Sequence, residues 1–380
     1  MASVKALFEP LQLGDITIKN RITMTAVTRN RAPDTYPTDL MKEYYVQRAK
    51  ADAGLLVTEG TLISRQGTEW PLAPGIWDEK HIEGWKKIVD AVHEVGGHIY
   101  SQLWHVGRLA HPEAAEQKLA GTPVWAPSAI SARGGKFRTI EGQPGYTTPT
   151  ALPDPRTVIA EFKQAAINAK KAGFDGVELH GANGYIVTQF LDYNANQRTD
   201  EWGGSVENRA RFGLEVLKEL VSVFGRNVGL KLSPAGGYND VGMPLEDTIA
   251  TYSYFITEAD KLGIAYVTLV RYSPNSDFMV DGKSRATHHD VFGTFRPFIK
   301  NAKVIVNADV TPEEGERLVS EGKADAIAIG FNFITHPDLV KRVRAGYPLD
   351  NIPDIPHLQT KTDSGDFSVG YTDYPFAKLD

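Results

Sequence analysis

Three side chains close together carry the chemistry most visible in this sequence. The run H-G-A-N-G-Y places His180, Asn183 and Tyr185 within six residues, with Gly181 and Gly184 between them. An imidazole, a carboxamide and a phenol are donors that need no negative charge of their own. Such a trio can grip a substrate oxygen, draw electrons toward it and supply a proton. Other chemistries lack their parts. No two carboxylates sit together at strand ends as a glycosidase pair would, and no G-x-S-x-G elbow occurs. The chain has no cysteine, which excludes disulfides, thiolate catalysis and thiolate metal sites. His180 and Asn183 have no second and third metal ligand beside them, so no metal is expected.

These residues close a short apolar strand, Gly176–His180, and seven similar runs accompany it. They are Ile22–Val27, Gly54–Glu59, His98–Trp104, Val228–Ser233, Ala265–Val270, Lys303–Asn307 and Ala326–Gly330. Amphipathic stretches of helical period separate most of them: Asp39–Ala51, Glu79–Val95, Pro155–Lys171, Ser205–Phe224, Leu245–Leu262 and Pro312–Glu321. Near-continuous apolar strands between helices imply buried parallel strands. Eight such units predict a closed (β/α)8 TIM barrel. The rival, an open doubly wound sheet, would need a G-x-G-x-x-G turn after its first strand, and none is present. Glu9–Lys19 reads as a hairpin closing the barrel floor. The Pro- and Gly-rich insertion at about 105–152 follows the third strand and is expected to act as a lid. The tail occupies about 346–380. No repeats interrupt the chain, so a single domain over 1–380 is expected.

In such a barrel the C-terminal strand ends face the active site. Read off the sequence, they supply Thr28, Gly60, Gln102, Trp104, His180, Asn183, Tyr185, Lys231, Ala308, Asp309 and Gly330. Over 380 residues the hydrophobic content is 42%, the charged content 23% and the net charge −6. That balance gives no basic footprint for nucleic acid or an anionic membrane. No run approaches the roughly 20 apolar residues of a membrane span. A cytoplasmic location is expected, as a monomer or homodimer.

The motifs together resemble the Old Yellow Enzyme family of flavin-dependent ene-reductases. They are N-R-I-T-M-T-A-V-T-R-N-R-A (20–32), E-G-T (59–61), Q-L-W-H-V-G-R (102–108), A-P-S (126–128), H-G-A-N-G-Y (180–185), N-Q-R-T-D-E-W-G-G-S-V-E-N-R-A-R-F (196–212), H-P-D-L (336–339) and G-Y-T-D-Y-P (370–375). The resemblance implies FMN across the barrel mouth, contacted by Thr28, Gly60, Gln102 and Lys231. Ala308, Asp309, Gly330 and Phe331 would lie near its phosphate. It implies that NADPH or NADH loads the hydride and that an enone-type small molecule receives it, with ping-pong kinetics. His180 and Asn183 would hold the substrate's carbonyl or nitro oxygen, and Tyr185 would protonate Cα. Trp104 and Tyr371 would border the substrate. An alternative function is non-redox isomerisation or cyclisation by the same His/Asn/Tyr set.

The departures from the family cluster at the cofactor. Lys231 stands where the family usually has Arg, and it cannot reproduce a planar, multiply bonded fork. The strand-seven motif, normally Gly-rich, reads Asn307-Ala308-Asp309. Gly330-Phe331 replaces the usual Gly-Arg whose guanidinium pairs with the phosphate. Arg271, Arg285 and Arg296 are the candidates to supply the missing cation, and backbone N–H groups at Asp309, Gly330 and Phe331 could cradle the phosphate.

Overall fold

Eight parallel strands close on themselves in the computed structural model, which describes residues 5–378 except 69, 135–141, 143–144 and 361–364. The strands are β1 (Ile22–Met24), β2 (Leu55–Val57), β3 (Ile99–Trp104), β4 (Gly176–Gly181), β5 (Val228–Leu232), β6 (Tyr266–Val270), β7 (Lys303–Asn307) and β8 (Ala326–Ile329). Each pairs with the next, β8 pairs with β1, and the β2–β3 pairing completes the ring. Seven lie within the apolar runs expected from the sequence, and β4 runs one residue beyond its own, to Gly181. β1 is shorter than expected: it stops at Met24, and Thr25–Thr28 leave the ladder to line the barrel mouth.

The strands are apolar on both faces because one face meets the outer helices and the other fills the barrel. Every residue of β4 is buried. On its outer side the helix Arg156–Lys171 packs Phe162, Ala165, Ala166 and Ala169, all fully buried, into the same core as Val177 and Leu179. Removing a ring such as Phe162 from this layer costs about 3–5 kcal/mol. Helix starts are set by side-chain caps: Thr38, Asp78, Ser205 and Thr311 accept from the backbone N–H groups of Met41, His81, Asn208 and Glu314.

The hairpin Leu11–Leu13/Ile16–Ile18 is antiparallel. Leu11, Leu13 and Ile18 join Leu55, Val57, Tyr100, Tyr266 and Ile305 in one apolar plug, so the hairpin closes the floor. Two tyrosines fit inside the barrel because glycine faces each of them. A Cβ on Gly176 would strike the Tyr100 ring, and one on Gly229 would strike the Tyr266 ring. The hairpin and these two rings fill the floor, and the C-terminal strand ends line open cavities.

The segment between β3 and β4 contains a turn at Gly107–Leu109, a helix at Ala115–Ala120 and a two-stranded parallel ribbon pairing Trp125–Ala126 with Thr150–Ala151. Val106, Leu109, Ala110, Val124 and Ala132 pack in one cluster with Trp104 and Tyr185. Residues 135–141, 143 and 144 of the expected lid lie outside the described residues. The tail is tied down by two buried guanidiniums. Arg29 donates to the carbonyls of Leu358 and Gly370, and Arg31 to those of His357, Phe367 and Val369.

Candidate active site

Two adjoining cavities open at the C-terminal strand ends. One of about 360 Å³ is lined by Thr28, Gly60, Trp70, Gln102, Trp104, His180, Asn183, Tyr185, Lys231, Tyr238, Phe278, Phe331 and Gln359, among others. The second, about 320 Å³, runs on toward Ala308, Asp309, Val310, Gly330, Phe331 and Asn332. They share Asn183, Lys231 and Phe331 in their walls. Every residue expected at the site from the sequence, Tyr371 excepted, lines one or both.

Tyr371 is the correction. It is fully buried and stacks on Tyr44, ring centroids 4.2 Å apart, with the Arg29 and Arg31 guanidiniums 5.1 and 4.7 Å from its ring. It pins the tail and does not border the cavity. The tail's contribution to the cavity wall is Gln359.

His180 ends β4 inside the barrel, directly across from Lys231 of β5. Burial and the nearby Lys231 ammonium push its pKa well below the usual histidine range, so the ring is neutral at pH 7. The backbone N–H of Ala182 donates to its Nδ1 at 3.3 Å. That bond assigns the ring proton to Nε2, leaving a neutral N–H donor. Asn183 follows in the left-handed region (φ 59°), which asparagine tolerates. Its N–H donates to Ser233 Oγ at 2.8 Å, and its carbonyl accepts from Asn239 Nδ2 at 2.9 Å. Gly184 (φ 75°) has no alternative: a Cβ there would lie 2.8 Å from Asn239 Cβ and from the Tyr238 carbonyl. This pinned turn delivers Tyr185. The Tyr185 ring stands edge-on to both His180 and Trp104, centroids 4.9 Å apart in each case.

Beneath these groups lies a buried polar layer. Gln102 Nε2 donates to Glu178 Oε1 at 2.7 Å, and Tyr266 OH donates to Glu178 Oε2 at 3.0 Å. Lys231 Nζ donates to Thr25 Oγ1 at 2.8 Å. Burial raises the Glu178 pKa and lowers that of Lys231, and each charge partly offsets the shift of the other. Glu178, Tyr266 and Thr25 were missed from the sequence. The signal was available for Glu178: a carboxylate inside a fully apolar strand, two residues before His180, shares its face.

The ring-sized part of the cavity fits a flavin's polar edge. Gln102, its amide N–H committed to Glu178, keeps its carbonyl oxygen as an acceptor, and Lys231 supplies a cationic donor beside it. The buried Trp104 Nε1–H has no hydrogen-bond partner among the described residues. The close wall needs Gly60, whose Cβ would come within 2.6 Å of the Trp104 ring. The far part is different. None of the three arginines named as substitutes lines it. Arg271 makes a two-point pair with Glu314 (2.7 and 3.0 Å) and also donates to the Ala308 carbonyl. Arg285 pairs with Asp240 at 3.0 Å. Arg296 is spent on the carbonyls of Ile299 and Lys323.

Comparison with known proteins shows the family. The sequence pattern of the NADH:flavin oxidoreductase / NADH oxidase family matches residues 6–350. A probable flavin mononucleotide-dependent alkene reductase of Leishmania infantum is 37% identical, over 98% of this chain and 98% of its own. A probable inactive reductase, easA, of Epichloe festucae var. lolii is also 37% identical, over 99% and 96%. The structure of the Old Yellow Enzyme homologue from Zymomonas mobilis superposes with a TM-score of 0.86 at 35% identity, covering 98% of this chain and 99% of that one. The chain therefore belongs to the NADH:flavin oxidoreductase / NADH oxidase family, the Old Yellow Enzymes, as an FMN oxidoreductase that takes its hydride from a reduced nicotinamide.

Proposed function

We propose that the protein reduces the C=C bond of α,β-unsaturated carbonyl or nitro compounds by a ping-pong cycle. The observation that carries this reading is the single wall formed by neutral His180, Asn183 and Tyr185, facing the same cavity as Gln102 and Lys231. Held beside Gln102 and Lys231, FMN would supply the redox chemistry that links NAD(P)H to Cβ of the alkene. The Nε2–H of His180 and the Asn183 carboxamide hold the substrate oxygen. As charge gathers on that oxygen their bonds strengthen, and a preorganised donor of this kind is worth about 2.7–4 kcal/mol in the transition state. A neutral imidazole suits this task because it adds no fixed charge that would trap the product enolate. Tyr185 is held beside those donors by the Trp104 and His180 rings and gives its phenolic proton to Cα. Trp70, Trp104, Tyr238 and Phe278 make the rest of the pocket aromatic, which suits a ring-bearing enone and keeps water away from the transferring hydride. Asn275, Ser276 and Phe278 of the loop after β6 add to the cavity wall.

The test is Tyr185→Phe in the FMN-loaded protein. Loss of a general acid lowers rate by about 10²–10⁴, so oxidation of the reduced enzyme by 2-cyclohexenone should slow by about a hundredfold. Reduction by NAD(P)H should stay within about twofold. Equal slowing of both half-reactions removes Tyr185 as proton donor. A second reading draws on the same wall, whose oxygen grip and proton donor need no hydride. The protein would then isomerise or cyclise an enone, and product formed without NAD(P)H is the result that would select it.

A further inference from the structure

The far cavity is where this chain's residues fit the cofactor least well, and they fit a related molecule better. Beyond Lys231, which sits at the ring end bonded to Thr25, no lysine or arginine lines this space among the described residues. Away from the ring end, the polar groups there are Ser273, Asn275, Ser276, Asn307, Asn332 and the Asp309 carboxylate. Asp309 is exposed and makes no ion pair among the described residues. Phe331 shows its ring at the same place and is 61% exposed. Arg271 does not line the cavity; its guanidinium is occupied by a two-point pair with Glu314 and by the Ala308 carbonyl.

A phosphate dianion here would meet neutral donors and a negative charge. A terminal hydroxyl would meet the same donors and an acceptor for its proton, because Asp309 can take an O–H bond but repels an anion. Backbone N–H groups at Gly330 and Phe331 can donate to either end group. We infer that the far cavity takes an uncharged polyol terminus, so that the protein binds riboflavin as well as it binds FMN. This rests on the flavin reading of the ring end. It adds that the 5′-phosphate contributes no affinity.

The experiment is a titration of flavin-stripped protein with riboflavin and with FMN, followed by quenching of flavin fluorescence, at 50 and 500 mM NaCl. The expected result is an FMN affinity no more than threefold above that of riboflavin. FMN binding should tighten at high salt, where repulsion by Asp309 is screened, and riboflavin binding should not change. Phe331→Arg, a change at an exposed position, should tighten FMN roughly ten- to hundredfold, the worth of a charge-assisted hydrogen bond. Riboflavin should stay within threefold. Asp309→Asn should strengthen FMN by a few fold. FMN bound more than threefold tighter than riboflavin by the unaltered protein overturns the inference and leaves the reductase reading standing. So does FMN binding that weakens with salt. An FMN affinity unmoved by Phe331→Arg shows that the flavin tail does not lie there and overturns it too. If neither flavin quenches, the inference and the flavin reading fall together.

Discussion

The buried layer under the site can be taken apart one charge at a time. Glu178 accepts from Gln102 and Tyr266 and faces Lys231, all inside the barrel. In Glu178→Gln the amide oxygen can satisfy one of those donors, but its NH₂ group confronts the other. One bond to a charged acceptor is lost, about 1.5–3 kcal/mol, and Lys231 becomes an uncompensated buried cation. Breaking a buried pair from one side costs about 3–5 kcal/mol. Lys231 can shed its proton, which caps the loss, so about 3–4 kcal/mol at pH 7 is expected. Lys231→Met leaves Glu178 with its two neutral donors and costs about 2–3 kcal/mol on the same reasoning. The double variant should cost less than the two single losses together by about 2 kcal/mol, read as urea midpoints at constant slope. The pH dependence carries a sign. In Glu178→Gln the folded pKa of Lys231 lies below its ordinary value of 10.5. Between the two values the unfolded chain binds more protons, so stability rises with pH across that window. The deficit of the variant therefore narrows from pH 7 toward pH 10. Losses additive to within about 0.5 kcal/mol would refute the pairing of Glu178 with Lys231.

Three further outcomes follow from particular residues. Glu59 is buried and its carboxyl is pushed up from 4.5 to about 7. The stability this confers is full below about pH 4.5 and lost as pH rises through 7, about 3 kcal/mol in all. Glu59→Gln should flatten thermal stability between pH 5 and 8, and an unchanged slope would assign it elsewhere. Ala308 holds φ at 76°, so Ala308→Gly should raise the urea midpoint by the equivalent of about 0.5–1 kcal/mol; a lower midpoint would show that the turn is unstrained. Tyr371→Phe should leave enone KM unchanged and cost under about 0.5 kcal/mol, because its buried hydroxyl has no hydrogen-bond partner among the described residues. Tyr371→Ala should cost about 3–5 kcal/mol through the lost stack on Tyr44. A KM change in Tyr371→Phe would return that residue to the substrate.

The sequence made the barrel legible because each strand carries its own signal. Buried on both faces, β4 through β8 read as apolar runs, and their ends were located to within one residue. The left-handed conformation at Asn183 and Gly184 was hinted at by residue type. What stayed hidden depends on pairs distant in the chain. Whether Arg271 reaches a phosphate or a carboxylate is decided by Glu314, 43 residues on, a partner that no local pattern announces. Tyr371 lies in a motif that resembles its family's, yet its place is fixed by Tyr44, Arg29 and Arg31. Motif membership identifies a position; the ring's surroundings come from packing across the fold.

The same separation explains why the two ends of the site diverge. The proposed donors for substrate oxygen and the proposed proton donor come from one strand end and one pinned turn, 180–185, so they stand or fall as a unit. The far cavity is assembled from the ends of β7 and β8 and the loop after β6. It shares Ala26, Val27, Asn183, Lys231, Asn275, Ser276 and Phe331 with the cavity that holds the His180–Tyr185 wall. In the proposed reading, Phe331 and Ala308-Asp309 bear on the flavin tail, whereas His180 and Tyr185 bear on the substrate. Affinity for the tail and power at the alkene are thus separable quantities in this barrel. Phe331→Arg should accordingly change flavin Kd while leaving the rate of enone reduction, measured at saturating flavin, within about twofold. A parallel change in both would mean that position 331 also shapes the substrate, as its place in both cavity walls allows.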